Sequence, residues 1–189
     1  NIIVNGISVN GGGINNVAIG DVTPSTGKFT TVTVTTSVIP SANLGANIGS
    51  TTAWFNNVYG TAIHAQYADL AENYLADADY APGTVVVFGG EQEITVTQEF
   101  ADATVAGVIS TNPAYLMNGA CGGVPVALRG RVPTNVVGPV RKGDSLVTST
   151  TTGFAVSVGT DKTHGQAVFA KALETNLSEG EKTIEAVIL

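Results

Sequence analysis

Charged residues are scarce in this chain: only 12% of its 189 residues are Asp, Glu, Lys or Arg, about half the usual share. The helix-forming residues Leu, Glu, Lys and Arg are uncommon, whereas Thr, Val, Ser and Asn are abundant and glycine occurs 23 times. Such a composition favours short strands joined by tight turns. We therefore predict an all-β fold.

Cysteine and histidine are also rare. Cys121 is the single cysteine, so an intrachain disulfide is impossible and a metal site would lack thiolate partners. His64 and His164 are the only imidazoles, whereas zinc sites are built from several His and Cys ligands. Asp77 and Asp79 lack the spacing of a calcium loop. We expect no metal and no cofactor.

Long apolar runs and early basic residues are missing as well. No apolar run approaches the roughly 20 residues that span a bilayer, so we expect no membrane insertion. Lys28 is the only basic residue before Arg129, and the net charge is -7. A surface this acidic repels phosphate backbones, which excludes a nucleic-acid partner. The basic residues from Arg129 onward either pair with the acidic stretch from Asp69 to Asp102 or are solvated turn charges.

Standard catalytic patterns are absent. Nucleophilic catalysis needs a nucleophile within hydrogen-bond reach of a base, and the chain has no Gly-x-Ser-x-Gly motif. The glycines at 11–13 are followed by neither the Lys nor the helix of a phosphate-binding loop. A glycosidase would need two carboxylates across a sugar-sized cleft, and the acidic spacing selects no such pair. We expect the chain not to be an enzyme.

The first third of the chain does not supply a core of its own. Residues 3–9 are strand-like, and residues 30–35 alternate Val with Thr, which predicts a strand with one thin apolar face. An arm of about 40 residues cannot bury enough surface to be stable alone, whereas three identical arms around an axis can. We predict an extended, trimerising arm over residues 1–62 and a compact β-rich body over residues 63–189. Because the chain begins with Asn1 rather than Met, we expect a fragment or a processed product.

The body is predicted to begin with one short helix. Residues 63–75 carry an approximate helical stripe, formed by Ala65, Ala68, Leu70, Ala71, Tyr74 and Leu75. The turn at residues 82–83 follows. Short strands are then predicted over residues 84–88, 94–97, 103–110, 124–128, 132–137, 145–148, 154–158, 167–173 and 183–188. Strands this short, with turns at this spacing, predict a compact barrel or sandwich.

Several motifs resemble passages of bacteriophage proteins. The first set is NLG (43–45), GST (49–51), Trp54, NVYGT (57–61) and YADLAENY (67–74). This succession resembles a passage that recurs near the ends of phage fibre proteins, and residues 18–32 resemble a line common in phage fibre and tail proteins. Residues 108–118, 126–133, 142–144 and 171–174 resemble a domain of tailed-phage structural proteins, including those of marine cyanobacteria.

The resemblance implies a fibre protein of a tailed-phage virion. Its expected partners are its own copies in a homotrimer, other virion proteins and a polysaccharide or protein on the host cell surface. A head fibre, a tail fibre and a baseplate position all remain open. Trp54 is expected to be a packing anchor between the arm and the body rather than a ligand platform.

Residues 115–118 are the candidate host-contact surface, because bulky apolar residues stand there among glycines. They are Tyr115, Leu116, Met117 and Asn118. A buried corner of the body is the alternative interpretation of the same pattern.

A second resemblance suggests a different activity. ADLAE (68–72), followed by GVISTNP (107–113), resembles the intramolecular chaperone domains that end some phage neck appendages. Those domains trimerise the fibre, and some then cut themselves off with carboxylates near the cleavage point. The match places Asp69 and Glu72 at the candidate positions, although Leu70 replaces an aromatic residue of that pattern. On a helix the two carboxylates would share one face. The alternative is that they hydrogen-bond the backbone of the strands on which the helix packs.

Overall fold

The computed structural model describes residues 29–189, which fall into two units: Asn1–Tyr59, described from residue 29, and Gly60–Leu189. Ten strands are present and no helix occurs in the described residues, so the predicted all-β class is confirmed. The strands are β1 (Asp69–Tyr74), β2 (Val85–Phe88), β3 (Ile94–Val96), β4 (Val105–Ile109), β5 (Tyr115–Met117), β6 (Val124–Val137), β7 (Ser145–Thr148), β8 (Ala155–Gly159), β9 (Ala170–Ala172) and β10 (Glu181–Ile188). Residues 29–189 also contain no helix that could cross a membrane.

Five of these strands close into a barrel. Strand β6 pairs with β10, β10 with β9, β9 with β7, β7 with β8, and β8 returns to β6. Only the β6–β8 pairing in this ring is parallel. Closure leaves the ring without a free edge, which removes the tendency of edge strands to pair with other chains.

The remaining strands form a side sheet on the other half of β6. That strand is 14 residues long. Its first half pairs with β1 on one side and β4 on the other, and the sheet continues from β4 through β2 to β3. Strand β5 pairs in parallel with β1. The side sheet therefore ends at β3 in one direction and at β5 in the other.

Strands β2 and β4 of the side sheet are largely buried on both faces, which explains their uninterrupted apolar runs. Val85 and Val108 belong to the core cluster that also contains the barrel residues. Their sequence neighbours Val86 and Ile109 point the other way, into a second cluster with Ile94. The main cluster consists of Val85, Val108, Ala127, Val132, Val136, Val140, Leu146, Ala155, Phe169, Ala170, Ala172, Ile184, Ala186 and Ile188.

The helix predicted over residues 63–75 is wrong. Residues 69–74 form strand β1, and burial alternates with the two-residue period of a strand: Asp69, Ala71 and Asn73 are buried, and the residues between them are partly exposed. The helical stripe rested on small alanines, and pairing to both β5 and β6 gives this backbone more partners than a short helix would. Residues three apart in a strand lie on opposite faces, so Asp69 and Glu72 do not share one.

The structure differs from the predicted strands at two further points. The strands predicted over residues 124–128 and 132–137 are one continuous strand, β6, and β5 was not predicted. Residues 30–35 form no strand in the single chain, since an extended segment needs a partner for its backbone groups. The strand predicted over residues 3–9 lies outside the described residues.

Candidate functional site

Residues 29–59 form a segment that we call the neutral ribbon. It contains no Asp, Glu, Lys or Arg, and every one of its residues is exposed. Its large apolar side chains are between 46% and 92% exposed: Phe29, Val32, Val34, Val38, Ile39, Leu44, Ile48, Trp54, Phe55, Val58 and Tyr59. Exposed apolar surface of this extent marks an interaction site in a folded protein.

Trp54 lies in a loop of the ribbon that is held by local hydrogen bonds. Its indole N–H donates to the carbonyl oxygen of Thr51 at 3.2 Å, and an isolated bridge joins Ser50 to Ala53. These bonds hold a loop around an open concavity of about 660 Å³, lined among others by Trp54, Phe55 and Val58. Trp54 is nevertheless 72% exposed in the single chain.

Asp69 is placed differently from the sequence-based expectation. It is buried at the start of β1, and its Oδ2 accepts a hydrogen bond of 2.6 Å from the Ser110 hydroxyl, which is also buried. Both residues line a cavity of about 240 Å³, together with Asn112 and Arg131. Ser110 was not predicted as a site residue, although it lies inside the GVISTNP motif (residues 107–113), which resembles part of the phage chaperone domains.

Glu72 takes no part in that pair. Its Oε2 accepts a hydrogen bond of 3.0 Å from the Tyr74 hydroxyl on the partly exposed face of β1. Burial raises the pKa of Tyr74 above 10.0, and the hydrogen bond to Glu72 raises it further. The two predicted carboxylates are therefore held by different partners on opposite faces of one strand.

One end of the side sheet is closed by the segment that follows β1. Ala76 forms a parallel bridge to Ile94, and the Val96 N–H donates to the Tyr80 hydroxyl at 3.2 Å. The same hydroxyl donates to the carboxylate of Asp77, and this bond is the main reason that the pKa of Asp77 lies below 3.8. The edge of β3 is thus occupied.

The other end of the side sheet is open. Tyr115 and Leu116 of β5 are 60% and 45% exposed, and in residues 29–189 β5 pairs only with β1. Asn118 ends the strand with a φ of 53°, and its side-chain amide donates to the carbonyl oxygen of Asn73 at 3.1 Å. Residues 115–118 therefore lie at an exposed sheet edge, not in a buried corner.

Comparisons with known proteins find similarity among solved structures and none among protein-family models or curated proteins. No protein-family model and no curated protein matches the sequence. Among solved structures, the chain is similar to the N base of head fiber gp8.5 in bacteriophage phi29, with 14% identity and a TM-score of 0.39. That similarity covers 64% of this chain and 93% of the other. At this level, a likeness carries no argument about family or function.

Proposed function

We propose that this chain is a structural fibre protein of a tailed-bacteriophage virion and that it assembles as a homotrimer through the neutral ribbon. The motifs that resemble phage fibre proteins support the virion role. The observation that carries the assembly is the exposure of every residue of the ribbon in the single chain.

The ribbon has the wrong composition for a segment that stays solvated. Segments that remain unfolded in water are poor in apolar residues and rich in charge, whereas the ribbon is uncharged and carries Trp54, Phe55 and Tyr59. It also lacks the lysines and glutamates that protect exposed strands from pairing with other chains. Burial would contribute roughly 25 cal/mol for each Å² of apolar surface covered. A partner that covers this surface is therefore strongly favoured.

Charge distribution supports identical copies as that partner. The chain has 15 acidic and 8 basic residues; residues 1–28 contain Asp21 and Lys28, and residues 29–68 contain no charged residue of these types. Residues 69–189 therefore hold 14 acidic and 7 basic residues, which is the entire net charge of -7. Bodies of two copies repel each other, but their ribbons do not. Identical copies can therefore associate along the ribbons.

A threefold arrangement accounts for both folding and assembly. In a closed ring of copies, each ribbon contacts two others, so no apolar face is left over. A segment that is stable only when covered by copies folds as it assembles. In this proposal the body caps the fibre or presents loops to a host-surface polysaccharide or protein.

Sedimentation and fluorescence test the proposed trimer together. We expect a species of about 58 kDa, three times the chain mass of 19.2 kDa. Trp54 is the only tryptophan, so its emission should lie at short wavelength in the trimer and move to longer wavelength on dilution, as the indole becomes exposed. A stable monomer whose Trp54 emission does not change with concentration would contradict the proposal.

A second candidate function is the self-cleaving intramolecular chaperone, favoured by one observation. A buried carboxylate that accepts the hydrogen of a hydroxyl, as Asp69 does from Ser110, is the arrangement of a base and its nucleophile. The cavity beside the pair leaves room for a peptide segment. Glu72, on the opposite face, would not act in the same step.

Intact-mass measurement distinguishes the two functions. A self-cleaving chain would yield two fragments divided next to Asp69, and Asp69→Asn would abolish the cut because the amide cannot take the hydroxyl proton. Glu72→Gln is the matched control, since it neutralises a carboxylate on the same strand without touching Ser110. An uncut chain of 19.2 kDa that persists through trimer formation supports the structural role alone.

A further inference from the structure

Two segments of the described residues have backbone groups that are suited to strand pairing but are not paired with a neighbouring strand. Residues 30–35 alternate Val and Thr as a half-buried strand does, yet they form no strand, and Val32 and Val34 are 65% and 46% exposed. Strand β5 pairs with β1 on one side and has an open edge on the other, and its residues Tyr115 and Leu116 are exposed. Within residues 29–189, residues 30–35 therefore have no sheet to join, and the side sheet has no strand beyond β5.

The open edge is a short strand of three residues, but it lacks the other features that discourage strand addition. Native edge strands are protected by charged residues, proline, bulges or a covering segment. Strand β3 has such a cover in the segment that ends with Tyr80. Strand β5 consists of Tyr115, Leu116 and Met117, which are uncharged, and in residues 29–189 no hydrogen bond reaches it other than those of its pairing with β1. An edge of this kind is the usual template for an added strand.

We propose that residues 30–35 of one copy add as a strand to the β5 edge of a second copy. This inference rests on the proposed trimer and names one of its contact surfaces. Main-chain hydrogen bonds would supply the pairing, and β-branched Val32 and Val34 would pack against the aromatic or aliphatic side chains of β5 as cross-strand pairs. Neither segment contains a charged residue, so the pairing buries no ion.

Donor and acceptor on one chain suit a closed ring. Within residues 29–189, each copy carries one unpaired strand segment and one open edge, which is the requirement for a head-to-tail interface. Three copies related by a threefold axis would use every donor and every acceptor once. A host peptide could also add to the edge, but it would leave residues 30–35 without a sheet.

Cross-linking between two populations of chains tests the pairing. The background is Cys121→Ser, which removes the only cysteine. One population carries Thr33→Cys or Val34→Cys, and the other carries Leu116→Cys and an affinity tag. The two are unfolded, mixed, refolded and treated with a short bismaleimide. Adjacent residues of a strand lie on opposite faces, so one of the two ribbon positions must share the face of Leu116.

We expect a tagged species of twice the chain mass for at least one ribbon position. A held strand has an effective concentration in the millimolar range, so the yield should exceed the control by at least about tenfold. The matched control replaces Leu116→Cys with Glu181→Cys, an exposed position on β10 whose partner on β6 is Val137. Circular dichroism and sedimentation on each variant confirm that it is folded and trimeric before the reaction.

Two outcomes overturn the inference and are distinguishable from failure of the proposed function. If the mixed chains sediment as trimers but neither ribbon position cross-links above the control, the edge takes another partner and the trimer stands. If a chain with Val34→Cys and Leu116→Cys cross-links only within itself and no mixed species forms, the strand is donated in the same copy. A monomer in sedimentation would instead remove the proposed function, and this inference with it.

Discussion

Trp54→Glu is expected to convert the trimer into monomers. The substitution replaces an exposed indole, which we expect each copy to bury against its neighbours, with a carboxylate that would have to lose its water. Truncation of a central tryptophan at an interface costs about 3 kcal/mol. Three copies would lose it together, about 9 kcal/mol, which corresponds to roughly six orders of magnitude in the association constant. Sedimentation equilibrium over a range of concentrations measures the change.

Asn56→Glu is the control for the trimer prediction. It places the same charge two residues away, at a polar position that is also exposed in the single chain, so we expect it to leave the trimer largely intact. Circular dichroism should show the folded body in both variants, because the body contributes the ten strands found in residues 29–189. Dissociation of both variants to the same degree would assign the effect to charge alone, and persistence of both trimers would remove Trp54 from the interface.

Gly130→Ala is expected to lower the free energy of unfolding of the body by about 4 kcal/mol. Gly130 has a φ of 102°, and a Cβ there would meet the carbonyl oxygen of Ala68 and lie 2.9 Å from the Cα of Asp69. Both are backbone atoms, so relief requires displacing the start of β1. Because small domains are stable by only about 5–15 kcal/mol, the loss is a large share of the total.

Gly138→Ala separates the steric effect from the backbone effect. Gly138 also has a positive φ, of 76°, but no atom lies within 4 Å of the position that its Cβ would take. It should lose only the conformational term, about 1 kcal/mol. Chemical denaturation followed by circular dichroism measures both variants against the unmodified chain. Equal losses would show that the contact with Ala68 is relieved without cost.

The sequence predicted most of the barrel because its strands are regular there. The strand predicted over residues 145–148 is β7. The strand predicted over residues 183–188 lies within β10, where buried and partly exposed residues alternate. These features depend on local pattern, which a single sequence displays directly.

The predictions that failed depended on tertiary pairing. Gly130 and Pro133 are typical of turns, yet both lie inside β6. Gly130 has a φ of 102°, which glycine can adopt while the strand continues. Pro133 pairs with Glu185 of β10. Strand β5 has only three residues, between Pro113 and Gly119, and three residues are too few to display a period. The hydrogen bond between Ser110 and Asp69 joins residues 41 positions apart, and no local sequence spacing predicts it.

The continuity of β6 has a consequence for how the body comes apart. Its first half supplies backbone partners to β1 and β4, and its second half supplies them to β8 and β10. Without β6, neither the barrel nor the side sheet has a complete set of paired strands. The body should therefore melt in a single cooperative step, and no shortened version that divides β6 should persist as a native fragment.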